Sequence, residues 1–156
     1  MVLIREIRPE EIPLLEDFLY EAIFVPEGMP APPRDIVHNE DLQLYVRDFG
    51  RKPDDRCLVA EADGKVVGAV WTRIMDDYGH VDDQTPSLAI SLYRDYRGRG
   101  IGTQLLARMV ELLRLDGYGR VSLSVQKANY ALQMYRQAGF EPVEDHGEEI
   151  LMVLAI

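Results

Sequence analysis

The sequence predicts an α/β fold: a single domain over residues 1–156, with one mixed sheet of about seven strands flanked by about four helices. Three observations predict it. Apolar residues recur at every second position in some segments and at every third and fourth in others, and the two kinds interleave along the chain. An Asp63-Gly64 pair joins two extended runs, the strongest short hairpin signal. An apolar run over 87–93 leads straight into the glycine-rich stretch Arg97-Gly98-Arg99-Gly100-Ile101-Gly102, which opens a helix.

Val2 to Ile7 alternates and reads as the first strand; Pro9, Glu10 and Glu11 suit the start of a helix whose apolar residues are Ile12, Leu15, Leu19 and Ile23. Residues 26–33 carry four prolines and a glycine and read as an exposed loop of the kind that shapes a substrate mouth. Leu42, Tyr45, Val46 and Phe49 form one helical stripe, with Asn39 as cap and Gly50 as stop. Residues 56–62 and 65–74 are the hairpin strands, 76–86 a polar connection, and 87–93 the next strand. Ile101, Leu105, Met109, Leu112 and Leu113 mark a helix that Gly117 ends, and 121–125 is a strand. A shorter helix over 130–138 has Asn129 as cap and Gly139 in the left-handed position, with Phe140 folding back on Met134 or Tyr135. Residues 140–143 and 150–155 close the sheet.

A chain of 156 residues buries roughly 68–70% of its unfolded surface, enough for a core of its own. The opening Met-Val-Leu-Ile-Arg-Glu interrupts any apolar run, so the expectation is no signal peptide, no membrane span and a cytoplasmic protein. Cys57 is the only cysteine, which excludes an internal disulfide or a multi-cysteine zinc site, and its apolar surroundings make it a core thiol. His38 and His146 lack metal-ligand spacing, and no metal is expected. A net charge of −10 argues against a nucleic-acid partner, which needs a basic face to release counterions. The same charge serves solubility, and the acids Glu27, Asp76, Asp77, Asp82 and Asp83 more specifically suit attraction of a cationic amine.

Glycines at 98, 100 and 102, between a strand and a helix, let successive N–H groups turn toward one point. The helix dipole and Arg97 and Arg99 add positive potential, which makes a diphosphate the fitting ligand. The spacing lacks the third small residue of the dinucleotide fingerprint, and no Lys followed by Ser or Thr makes it a nucleoside-triphosphate loop.

Tyr96-Arg97-Gly98-Arg99-Gly100-Ile101-Gly102-Thr103-Gln104-Leu105-Leu106 resembles the acetyl-CoA signature of the GNAT family of N-acetyltransferases: Arg or Gln, two residues, Gly, one residue, then Gly or Ala. The resemblance continues through Asn129, Ala131, Tyr135 and Gly139-Phe140, and through the order of elements. It implies an acyl-CoA N-acyltransferase-like fold with acetyl-CoA as acyl donor. Ile90, Ser91 and Leu92 would then pair with the pantetheine arm where the neighbouring strands splay, and Arg97, Gly98, Arg99, Gly100, Ile101, Gly102 and Thr103 would hold the pyrophosphate. Asn129 would touch the cofactor, cap its helix, or do both. The Leu92 N–H would stabilise the oxyanion, and Tyr135 would protonate the leaving thiolate.

Two departures stand out. The strand over 87–93 contains no Asp or Glu, although many members place an acid there, so Glu27, Asp82, Asp83 and His80 are the candidates for a base acting through water. Arg94 stands where proline is frequent. Trp71 and Tyr78 either line an acceptor pocket or pack. The expected activity is direct acetyl transfer to a primary amine, on a small cationic molecule or on a protein N-terminus or lysine. The alternative is a noncatalytic acyl-CoA sensor, and related proteins commonly form homodimers.

Overall fold

The Asp63-Gly64 turn has positive φ at both residues, 53° and 79°, the conformation a two-residue type I′ hairpin requires. It joins β2 (Arg56–Ala62) to β3 (Lys65–Arg73), with a bulge at Ala60/Glu61. In the computed structural model, which describes residues 1–156, this hairpin sits among β1 (Val2–Glu6), β4 (Ser87–Leu92), β5 (Arg120–Gln126), β6 (Glu141–Asp145) and β7 (Glu149–Ala155). The helices are α1 (Leu14–Ala22), α2 (Glu40–Gln43), α3 (Ile101–Leu115) and α4 (Ala131–Ala138).

The strand order is β1-β2-β3-β4-β5-β7-β6. Every neighbouring pair is antiparallel except β4 and β5, which run parallel and share the single registered pair Ser87↔Ser122. Beyond that pair the two strands part. The crossover between them carries α3, as a parallel connection demands.

The sheet separates two apolar layers. On one face Leu105, Leu106, Met109 and Leu113 of α3 pack with Leu58, Val70, Val121 and Leu123, and Tyr135 and Phe140 join from the α4 end. On the other, Leu15, Phe18 and Leu19 of α1, with Val37, Val46 and Phe49, cover Cys57, Val59, Ala69 and Trp71. Cys57 is thus a core thiol, its pKa pushed up by burial. No helix is long and apolar enough to cross a membrane.

Two expected helices differ. The first breaks into a 3-10 turn at Pro9–Glu11 and α1 from Leu14, because Pro13 has no N–H to continue the ladder. The second, expected to reach Gly50, keeps α-helical form only over α2, after a 3-10 segment at Arg34–His38. Its later carbonyls serve β3 instead. Arg73 donates to Leu44 O at 3.0 Å and Arg47 O at 2.9 Å, and the Trp71 indole donates to Tyr45 O at 3.1 Å. Arg73 also forms a buried fork with Asp55, 3.0 and 2.9 Å, where both side chains are at most 2% exposed. Asp55→Ala would strand that guanidinium and is expected to cost about 3–5 kcal/mol in chemical denaturation.

At the sheet edge Arg5 bridges Glu11 at 2.8 Å and Glu61 at 2.9 Å. The hydrogen bonds from Arg5 hold the Glu11 carboxyl down at about 2. A depressed carboxyl stabilises the fold above its unfolded pKa. Wild type should therefore lose this contribution as pH falls from about 4.5 toward 2. Glu11→Gln should flatten that acid limb in thermal melts taken across the same range.

Candidate active site

The parting of β4 and β5 leaves backbone groups facing open space. Tyr93 N–H donates to Val67 O at 2.9 Å, and strand alternation then turns the N–H and C=O of Ile90 and Leu92 away from β3 and toward β5. Ser91 behaves differently. Its backbone pairs with Ala69 of β3, and its hydroxyl donates to Phe18 O of α1 at 2.6 Å. Of the three strand residues expected to meet a pantetheine arm, Ile90 and Leu92 present main-chain groups to the cleft, while Ser91 is committed to the fold.

The glycine-rich loop follows directly. Gly98 and Gly100 have φ of 73° and 80°, and a β-carbon on either would meet no atom within 4 Å. Helical bonding begins with Gln104 N–H to Gly100 O at 3.2 Å, and none of the N–H groups from Gly98 to Thr103 donates within the chain. Such a run of free donors at the start of a 15-residue helix is an anion cradle. Gly102 fits close packing, since a β-carbon there would lie 3.4 Å from Met134 Sδ and 3.6 Å from Leu92 Cδ1.

Arg99 is exposed, with its guanidinium over the Tyr96 ring at 5.4 Å. Arg97 is turned elsewhere. Its Nε donates to Leu92 O at 3.1 Å and its Nη2 to Glu21 O at 3.1 Å, while its N–H donates to Arg94 O. Expected along a diphosphate, Arg97 has its Nε and Nη2 engaged by Leu92 O and Glu21.

Tyr135 is 8% exposed, in edge-to-face contact with Phe140 at 5.9 Å. Gly139 has φ 107°, and Phe140 N–H donates to Tyr135 O at 3.0 Å, which folds the chain back at the end of α4. Burial raises the Tyr135 pKa above that of a free phenol, which favours the protonated form. Ile90, Leu92 and Met134 pack against the same cluster. Asn129 Oδ1 accepts from Ala131 N–H at 2.9 Å, capping the helix while its amide nitrogen stays free.

The base candidates scatter. Glu27 lies in the exposed turn closed by Met29 N–H to Pro26 O. Asp82 accepts from Gln84 N–H, which holds its pKa down, and pairs with Arg120 at 2.5 Å. Asp83 is 93% exposed, 3.6 Å from His80. His38 and His146 lie beside Glu16 and Glu144 at the surface, and no group of His, Cys, Asp or Glu is placed to hold a metal. Trp71 is core, whereas exposed Tyr78 lines a cavity of about 240 Å³ with Asp41, Leu44, Asp76 and Asp77.

Two carboxylates and a glycine gain importance only in three dimensions. Asp77 accepts from Tyr45 OH at 2.8 Å and Ser87 Oγ at 2.9 Å. Glu149 accepts from Gln126 Nε2 at 2.7 Å and Ser124 Oγ at 3.4 Å. Burial first, and then Asp77, raise the Tyr45 pKa. Neither carboxylate is paired with a cation, and both reach the side of β4 and β5 opposite α3. Gly68 faces Leu92 across the ladder, and a β-carbon there would lie 2.2 Å from Leu92 Cδ2. Residue type and spacing carry no signal for Glu149 and Gly68, because each matters through a partner far away in sequence.

A family model described as the acetyltransferase (GNAT) family matches residues 19–140. The chain is 32% identical over 119 residues to a putative ribosomal protein bS18-alanine N-acetyltransferase of Bacillus subtilis, covering 70% of this chain and 74% of that one. It is 38% identical over 86 residues to a probable N-acetyltransferase camello of Xenopus tropicalis, 53% of this chain and 37% of the other. The chain spans about a third to two fifths of the length of the first curated relatives it matches. Among solved structures, PaiA N-acetyltransferase of Thermoplasma acidophilum in complex with coenzyme A superposes with TM-score 0.74 at 18% identity, over 100% of this chain and 99% of that one.

Alkaline difference spectroscopy tests the Tyr135 environment. Tyr135→Phe should remove no ionisation step near pH 10, where free phenols titrate. A lost step in that range would mean a solvated hydroxyl.

Proposed function

The chain belongs to the GNAT family of acetyltransferases, and on that premise we propose that it transfers acetyl from acetyl-CoA directly to a primary amine. The observation that carries this reading is the row of free N–H groups from Gly98 to Thr103, beside the parted strands β4 and β5. That cradle fits a diphosphate, and Ile90 and Leu92 fit an extended arm laid along β4. Acetyl-CoA supplies a thioester at the end of such an arm.

The chain's own groups have separate tasks. The Leu92 N–H faces the cleft and suits a carbonyl oxygen that gains negative charge during attack. Tyr135 keeps its proton at neutral pH and suits protonation of a departing thiolate. The acceptor ammonium, near pKa 10.4 when free, must lose a proton before it attacks. Glu27 remains a candidate for that role, but Asp77 and Glu149 are better supported. They are fixed by neutral donors, lack counter-charges, and adjoin the parted strands. Together with Asp41 and Asp76 they favour a cationic acceptor, either a small amine or a protein N-terminus or lysine.

The absence of an acid on β4 favours a second reading, a noncatalytic acyl-CoA sensor, and two measurements separate them. Calorimetry should detect acetyl-CoA binding to the wild type and none to a folded Gly100→Asp variant, whose carboxylate would face the cradle. Tyr135→Phe should bind acetyl-CoA normally yet consume thioester with a mixed amine pool roughly 10²-fold more slowly. Binding without turnover in either protein selects the sensor. Among active variants, Glu149→Gln should lower kcat/KM, whereas Glu27→Gln should leave it in place.

A further inference from the structure

Arg97 opens the glycine loop, yet its guanidinium looks back into the fold. Nε donates to Leu92 O at 3.1 Å, and Nη2 to Glu21 O at 3.1 Å and Glu21 Oε1 at 3.4 Å. The peptide linking Leu92 and Tyr93 is therefore held from both sides, by Arg97 on its carbonyl and by Val67 O on its N–H at 2.9 Å. That peptide sets the direction of the preceding Leu92 N–H. Glu21 O lies in the last turn of α1, where an arginine satisfies an orphan carbonyl and complements the helix dipole. Two further ties reach α1 from the same strand end, Ser91 Oγ to Phe18 O at 2.6 Å and Tyr93 OH to Asp17 Oδ2 at 3.5 Å. The loop that follows α1 contains Glu27 and four prolines.

We propose that Arg97 is a positioning residue that clasps the Leu92 peptide and the end of α1 to the start of the glycine loop. The cradle, the Leu92 donor and the end of α1 then keep one fixed relation. The inference rests on the acetyl-transfer reading for its kinetic consequence and on hydrogen-bond geometry alone for its structural one. An arginine bound to two carbonyls and a carboxylate does not direct the fork Nε/Nη2 at a phosphate.

The test compares Arg97→Met, which removes every donor, with Arg97→Gln, which keeps one neutral donor for Leu92 O. Thermal melts establish that each is folded, and the Gln variant carries the test alone if the Met variant is not. Both should bind acetyl-CoA within about threefold of wild type, short of the tenfold that ~1.4 kcal/mol of lost phosphate contact would cost. Arg97→Met should lower kcat on the order of tenfold or more through misplacement of the donor, and Arg97→Gln should recover part of it. The loss should be equal with S-acetyl-pantetheine, which has no diphosphate. Amide hydrogen exchange should speed up around Glu21–Ile23 and Leu92–Tyr93 in Arg97→Met.

A tenfold or larger loss of acetyl-CoA affinity, with the reaction of S-acetyl-pantetheine untouched, would make Arg97 a phosphate ligand and overturn the proposal. Unchanged exchange at both segments would overturn it as well. Should wild type bind acetyl-CoA and never turn over, the transfer reading fails by itself, and the exchange pattern still decides the clasp.

Discussion

A sheet with one parallel pair must place a crossover over that pair, and here the pair holds only at Ser87↔Ser122. This constraint governs the rest of the molecule. The crossover brings α3 onto the sheet, and its start lies at the end of β4, so the glycine loop opens beside the cleft. Because β4 and β5 separate, the N–H and C=O of Ile90 and the N–H of Leu92 have no strand to pair with, while Arg97 takes the Leu92 carbonyl. Unpaired backbone groups in a protein are costly unless solvent or a ligand meets them. Binding capacity here is unsatisfied main chain, arranged by a fold that satisfies nearly everything else.

The two sides of the cleft have opposite chemistry. Toward α3 lie apolar side chains, with Tyr135 among them, and the positive end of a helix. Toward α1 and α2 lie Ser87, Ser124, Gln126, Asp77 and Glu149, in a mesh of hydroxyl, amide and carboxylate groups. Anion-binding donors and carboxylates therefore face the cleft from different sides. A net charge of −10 would oppose anion binding if it were spread evenly. The chain avoids this by placing no carboxylate on the cradle and by leaving Arg99 unpaired beside it.

Several arginines of this acidic chain work inside the fold. Arg73 binds Asp55 and two carbonyls, Arg5 joins β1 to Glu11 and Glu61, and Arg97 joins β4 to α1. Arg73 claims the carbonyls of Leu44 and Arg47, which accounts for the region 34–49 being short 3-10 and helical turns and not one helix. Its carbonyls are worth more to a buried guanidinium than to another helical turn, because an unpaired buried charge costs several kcal/mol, on the order of 3–5.

The sequence alone determined what rests on local physics. The Asp63-Gly64 hairpin, the glycine loop before α3, the cap at Asn129 and the reversal at Gly139-Phe140 depend on residues within a few positions of one another, so spacing and φ preference suffice. The strand and helix order followed from periodicity for the same reason. Only the tertiary structure decided which carbonyls Arg73 and Arg97 would claim, that Ser91 would turn to α1, that Gly68 must make room for Leu92, and that Asp77 and Glu149 would be held by neutral donors. These contacts join residues that are distant along the chain, and a charged side chain settles on whichever long-range partner best offsets its desolvation, a choice no local pattern encodes.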